Sequence, residues 1–273
     1  MKRRTLLQLV CLAGCSRAKE RTSENPCAAW LRVGQEYGEF GADEVASGAR
    51  ELERLSGLVQ KQLGARGDIP EAVRHVVFRQ SGFVREVDDA SLRFVLLPSV
   101  LRQRRGSCVG LGSLLVALMQ LAGIDAHGVL RPGHFHARLQ QRGRVRNLEP
   151  LRGGEEMPAA WYDTRFPAIG QAQYYGRPLS SDEVLGVLEY NVGNQRKREQ
   201  RLSDARRAYT SAVRHFPDFA EAHASLGTVL HVEGELQAAE RAYRLALHKN
   251  PALPGLQWNL ELLLAEAAKR RAR

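Results

Sequence analysis

Displaced by 34 residues, the C-terminal third of the chain falls on itself. Gly193 meets Gly227, Ala205 meets Ala239, Tyr209 meets Tyr243, Ala212 meets Ala246 and Pro217 meets Pro251. A period of this length describes a pair of short helices that cannot bury its apolar side alone and must stack on its neighbours. Glycine and alanine let the two helices approach closely. The aromatic ring fills the gap between them, and proline ends the second helix. The repeat covers about residues 186–251, and residues 254–267 have the pattern of one further helix that caps the stack. Two units and a cap are few for a free-standing solenoid, so the repeats are expected to pack on whatever precedes them.

That spacing and those residue types resemble the tetratricopeptide repeat. The resemblance implies an all-α domain over residues 179–273. Its role is either a peptide-binding groove or a structural buttress, and the buttress is the simpler reading.

The N-terminus reads as an address. Lys2, Arg3 and Arg4 precede a short apolar stretch, and Leu12-Ala-Gly-Cys15 closes it. This is the layout of a secretory signal, too short to span a membrane. It also resembles the lipobox of bacterial lipoproteins. That resemblance implies a signal peptide over residues 1–14, acylation at Cys15 and a lipidated tether over residues 15–29. The protein would then be lipid-anchored in the cell envelope, facing the periplasm or the outside. Loss of Lys2, Arg3 and Arg4 takes the net charge from +10 to +7. No Lys/Arg cluster is interleaved with aromatics in a nucleic-acid module, so no nucleic-acid partner is expected. No uncharged apolar run reaches spanning length, which excludes a polytopic membrane protein.

Four cysteines in 273 residues exclude a disulfide-dense scaffold. Cys11 would leave with the signal and Cys15 would be blocked by lipid. Cys27 and Cys108 remain. In an oxidising compartment they could pair, which would end any catalytic role for Cys108.

Between the ends, residues 36–63 keep helical spacing, Pro70 stands in the first turn of another helix, and residues 91–101 form a further apolar segment. Arg104-Arg-Gly-Ser-Cys108 then leads into an apolar run to Leu121, with Ser107 as N-cap and Gly123 as C-cap. Apolar nearly all round, this helix is expected to be buried. Cys108 stands in its first turn, where backbone N–H groups and the helix dipole favour a thiolate. The other reading is an inert buried thiol.

Residues 124–130 read as a strand, Arg131-Pro-Gly133 as a break, and residues 134–139 as a second, strictly alternating strand. His134, His136 and Arg138 share one face; Phe135, Ala137 and Leu139 share the other. After a turn at residues 141–143, residues 145–149 return as an antiparallel partner. The order is cysteine on a helix N-terminus, histidine on a strand, carboxylate on the next strand. A histidine can hold a thiolate as an ion pair and later protonate a leaving group, while a carboxylate orients the imidazole.

At this point the stretch from about His75 to Gly154 resembles the transglutaminase-like core superfamily, most closely its SirB-type branch. The resemblance is carried by Val77-Phe-Arg-Gln-Ser-Gly-Phe83, by Leu96-Leu-Pro-Ser-Val-Leu-Arg-Gln-Arg-Arg-Gly-Ser-Cys-Val-Gly-Leu111, by Leu121-Ala-Gly-Ile-Asp-Ala-His-Gly-Val-Leu-Arg-Pro-Gly-His-Phe135 and by Asn147-Leu-Glu-Pro-Leu-Arg-Gly-Gly154. It implies an α+β fold: a papain-like transglutaminase-like core over residues 30–178, followed by the repeat domain. It also implies Cys108 as nucleophile, His134 as its partner, and Glu149 where the family usually has aspartate. His136 and Asn147 are read as supporting residues around them. Many SirB-type members lack the cysteine, so the branch does not by itself establish activity.

A metal reading would gather His127, His134, His136 and Glu149, without a known ligand spacing; no metal and no cofactor are expected. Arg104 and Arg105 are read as structural ion pairs. Trp161-Tyr162 and Tyr174-Tyr175, in the connector over residues 157–178, either line a groove or join the two domains, and joining is preferred. Two functions stand. One is a membrane-anchored cysteine enzyme that attacks a peptide or amide bond through Cys108, His134 and Glu149, by hydrolysis or acyl transfer. The other is a catalytically inactive lipoprotein scaffold that holds a protein partner through the core and the repeats.

Overall fold

The computed structural model describes residues 26–87, 91–170 and 172–272. The expected signal peptide, Cys11 and the acylated Cys15 lie outside the described residues. The described residues open within the last part of the expected tether: α1 (Pro26–Arg32) buries Cys27 and Trp30, and Trp30 Nε1 donates to the Ser181 carbonyl at 3.0 Å.

The helical stretch expected over residues 36–63 divides in two. A short 3-10 turn ends at Gly38, with φ +74°, and α2 (Ala42–Arg66) starts after Gly41. Next come α3 (Ile69–Arg74), capped by Asp68, and α4 (Leu97–Gln103). Between and after them, β1 (Val84–Arg85) and β2 (Arg105–Gly106) form a short parallel pair. Arg105 meets Glu86 at 2.6 Å and Arg104 meets Glu51 at 3.5 Å, which makes both arginines structural ion pairs.

The apolar run forms α5 (Cys108–Leu121). Ser107 Oγ accepts from the Gly110 N–H at 3.3 Å, and Gly123, at φ +78°, follows its end. Residues 110–119 of α5 are buried, as an all-round apolar surface requires. Gly110 permits a backbone contact: a Cβ there would stand 2.2 Å from the Phe94 carbonyl oxygen.

The helix lies on an antiparallel sheet of β3 (Ala126–Arg131), β4 (His134–Gln141), β5 (Arg144–Glu149), β6 (Glu155–Glu156) and β7 (Pro178–Leu179). Among the described residues the strand order is β6-β5-β4-β3-β7. Arg131 pairs with His134 across the Pro132-Gly133 turn, the residue order of a type II turn, with Gly133 at φ +66°. Strand alternation does the rest. Phe135, Ala137 and Leu139 are buried in the core, which leaves His134, His136 and Arg138 on the opposite face.

After α6 (Ala159–Arg165) the repeats follow as α7 (Ser181–Arg198), α8 (Leu202–His215), α9 (Ala220–Val232) and α10 (Leu236–Lys249), with α11 (Leu256–Arg271) as the cap. The fold is thus α+β, an antiparallel sheet with its cysteine-bearing helix followed by helical hairpins. A Cβ at Gly193 would stand 2.5 Å from the Tyr209 ring, and one at Gly227 2.6 Å from Tyr243. Each repeat closes as its glycine–tyrosine pairing predicts. The first repeat shares one hydrophobic core with the sheet and α5, through Val184, Leu188, Phe216 and Phe219. The second repeat and the cap have their own core around Tyr243, Leu256, Leu260 and Leu263. Among the described residues no helix is long and apolar enough to cross a membrane.

Candidate active site

Cys108 opens α5, partly exposed, and His134 opens β4 directly after the hairpin turn. Packing of α5 on β3 and β4 brings these two starts together, and both residues line one cleft of 370 Å³. His134 Nε2 bonds Glu149 Oε2 at 2.8 Å. The other ring nitrogen, Nδ1, is free of Glu149, and the nearby Cys108 sulfur favours charge on the imidazole. Glu149 is fixed in turn: its Oε1 accepts from the Leu151 N–H at 3.0 Å. The glutamate at an aspartate position therefore still reaches the imidazole.

Burial opposes charge on His134. The bonded Glu149 carboxylate and the nearby Cys108 sulfur outweigh it and push the imidazole up to about 9. Protonated at neutral pH, it is suited to face a thiolate. As the first residue of its helix, Cys108 has a backbone N–H with no intrahelical acceptor, the kind of donor that meets a developing oxyanion.

His136 lies behind this line, fully buried, with neither ring nitrogen in an aligned hydrogen bond. Its ring stacks on Tyr162 at 3.8 Å. Burial, then the nearby charges of His134, Arg138 and Arg131, hold it well below the usual histidine range, so it stays neutral. Asn147 serves the scaffold: its Oδ1 accepts from Arg138 Nε at 2.7 Å, and Arg138 also reaches the Gly176 carbonyl at 2.8 Å. His127 stands at the other end of the hairpin, bonded to Asp125 and the Leu179 carbonyl. Among the described residues no group of three or more His, Cys, Asp or Glu side chains is placed to hold a metal ion.

Cys27 does not reach Cys108. Its sulfur lies 3.9 Å from the Ala117 carbonyl and from Gln120 Oε1. Those residues are nine and twelve positions beyond Cys108 in α5, or roughly 14–18 Å along the helix axis at 1.5 Å per residue. A disulfide needs Cα atoms within about 7 Å. Burial pushes the Cys27 thiol up to about 11.

Some parts of the site had no sequence signal. Phe166 covers the His134 imidazole, ring on ring at 4.0 Å and 3°. Trp161 packs edge-on against Tyr162 and Phe166. The Trp161-Tyr162 pair therefore backs the histidines and does not join domains, against the expectation. Tyr174 does join them, packing on Phe216 and Phe219. The far wall of the cleft comes from the first repeat and the start of the second, including Tyr190, Asn191, Asn194 and Glu221. These helices therefore form a wall of the cleft as well as packing on the core as a buttress.

Comparison with known proteins agrees with this architecture. A family model described as the transglutaminase-like superfamily matches residues 46–206. A tetratricopeptide repeat model matches residues 193–254. The comparison with curated proteins gives no match. Among solved structures, the crystal structure of menin, described as revealing the binding site for Mixed Lineage Leukemia (MLL) protein, is similar at 14% identity with a TM-score of 0.43. That similarity covers 82% of this chain and 66% of the menin chain, and is too slight to carry a functional argument.

Proposed function

This chain belongs to the transglutaminase-like superfamily, and from that premise we propose that it is a cysteine enzyme that cleaves or transfers acyl groups of peptide or amide substrates. The observation that carries the reading is that Cys108 and His134 line one cleft and that the His134 imidazole is bonded to the buried Glu149 carboxylate. Cys108 Sγ attacks the amide carbonyl carbon and a C–S bond forms. The oxyanion is met by the Cys108 N–H. The C–N bond breaks as the His134 imidazolium gives its proton to the leaving nitrogen, leaving a thioester. Water or an amine then attacks the thioester, His134 takes the attacking proton, and the C–S bond breaks to release the Cys108 thiolate beside the imidazolium.

Affiliation with the SirB-type branch rests on the Arg104-Arg-Gly-Ser-Cys108 and Pro132-Gly-His-Phe135 pieces. Anchoring of the enzyme to the cell envelope through acylated Cys15 rests on the lipobox-like Leu12-Ala-Gly-Cys15. Labelling with a fatty-acid analogue, lost in Cys15→Ser, tests the anchor.

The test of the chemistry is the pH dependence of iodoacetamide alkylation, read at the Cys108 peptide by mass spectrometry, in the full chain and in His134→Ala. A rate plateau extending well below the free-thiol pKa of ~8.5, lost in the variant, is expected of a thiolate–imidazolium pair. An ordinary thiol titration that ignores the loss of His134 overturns the enzyme and leaves the scaffold reading in its place.

A further inference from the structure

The cleft before Cys108 has two unlike walls. One is the cysteine helix and the hairpin turn; the other is repeat surface from α7 and the start of α9. The lining is mainly apolar, and each wall carries one charged side chain other than the histidine. Arg131 is on the hairpin side, where Asp163 neutralises it at 2.7 Å. Glu221 is on the repeat side, partly exposed.

Glu221 differs from its acidic neighbours. Glu199, Asp204, Glu233, Glu235 and Asp218 each meet an arginine or lysine. Among the described residues Glu221 has no ion-pair partner, in a chain of net charge +10. Its two carboxylate oxygens instead accept the hydroxyls of Tyr174 and Tyr175. Tyr174 is buried and packed against Phe216 and Phe219, so its bond fixes the carboxylate's position. Two donors leave about half of a carboxylate's acceptor sites unused. A charge held rigidly in an apolar cleft with no internal counter-ion is complementary to a cation brought by the ligand.

We infer that Glu221 is a specificity-determining residue that receives a cationic group (a lysine or arginine side chain, or an amino terminus) of the peptide whose acyl group is presented to Cys108. This rests on the reading of Cys108 as nucleophile. It makes the repeats part of the substrate site and gives the enzyme a preference for basic peptides.

The experiment uses three methanethiosulfonates on the full chain: a trimethylammonium-ethyl, a sulfonatoethyl and an uncharged methyl reagent. Rates are read at the Cys108 peptide by mass spectrometry. Each charged-reagent rate is divided by the uncharged rate on the same protein, so that changes in the thiol itself cancel. The same ratios on glutathione set the reference. The cationic-to-anionic preference at Cys108 is expected to fall by at least about fivefold in Glu221→Gln, whose amide oxygen still accepts one of the two tyrosine hydroxyls. Glu221→Ala is expected to give the same fall, which guards against a local defect particular to one variant. A preference unchanged in both variants overturns the proposal. Failure of the nucleophile reading is visible separately, as an uncharged-reagent rate that does not depend on His134.

Discussion

His134 and Glu149 meet at 2.8 Å where their side chains are only 2% and 1% exposed. Two groups taken so fully out of water are held as charges by each other and by their surroundings, the nearby Cys108 for the imidazole and the Leu151 N–H for the carboxylate. The pair therefore governs both the chemistry of the site and the pH response of the fold.

Glu149→Gln is expected to cost about 3 kcal/mol at pH 6, because it leaves a buried imidazolium without its counter-charge. The pH course follows from His134, raised in the fold from 6.5 to about 9. Its contribution is fully present below pH 6.5 and is lost as pH rises through about 9. The gap between the original chain and the variant, measured by urea unfolding, should close across that window. A constant gap would show that the two groups are not an ion pair.

A second carboxylate responds in the opposite sense to an ordinary acid. Burial is the main cause that pushes Glu189 up to about 7, although the Tyr37 hydroxyl donates to it at 2.6 Å. The fold prefers the protonated form, so this contribution is fully present below pH 4.5 and lost as pH rises through about 7. Glu189→Gln keeps an acceptor for Tyr37 and carries no charge. At pH 8 it should be more stable than the original chain by about 1–3 kcal/mol, and at pH 4 nearly equal. Thermal unfolding at the two pH values decides this.

Two glycine substitutions should separate site from scaffold. Gly110→Ala puts a Cβ 2.2 Å from the Phe94 carbonyl oxygen, backbone that cannot swing aside. The first turn of α5 must shift, and alkylation at Cys108 at pH 6 should fall by roughly tenfold or more. Gly227→Ala meets the Tyr243 ring at 2.6 Å. It should cost about 1–3 kcal/mol of stability yet spare Cys108, because the second repeat has its own core.

Cys27 should be silent. Buried beside Ala117 and Gln120, with its thiol pushed up to about 11, it is expected to resist iodoacetamide in the folded protein at pH 7. Oxidation of the native chain with diamide should give no Cys27–Cys108 disulfide on peptide mapping. Finding that disulfide in native protein would contradict the placement of both residues.

Local patterns written in the chain decided a good deal of this molecule. The 34-residue register set the helical hairpins, because glycine facing tyrosine is a contact within one repeat. Strict alternation put His134, His136 and Arg138 on one face of β4, because strand side chains alternate whatever surrounds them. Ser107 before an apolar run marked the start of α5, because capping is a local hydrogen bond. The order of Cys108, His134 and Glu149 followed from these.

Only tertiary structure decided what covers and completes the cleft. Nothing near Phe166 in sequence marks it as the lid on the His134 ring, and nothing near Glu221 marks it as facing Cys108 across 113 positions. The same holds for Cys27, which sequence left free to pair and which packing moved to the far end of α5. Contacts of this kind depend on how α7 seats against the sheet through a shared apolar core. Burial of apolar area is non-directional and carries no local signature; sequence period fixes each element's faces, and only packing fixes which faces meet.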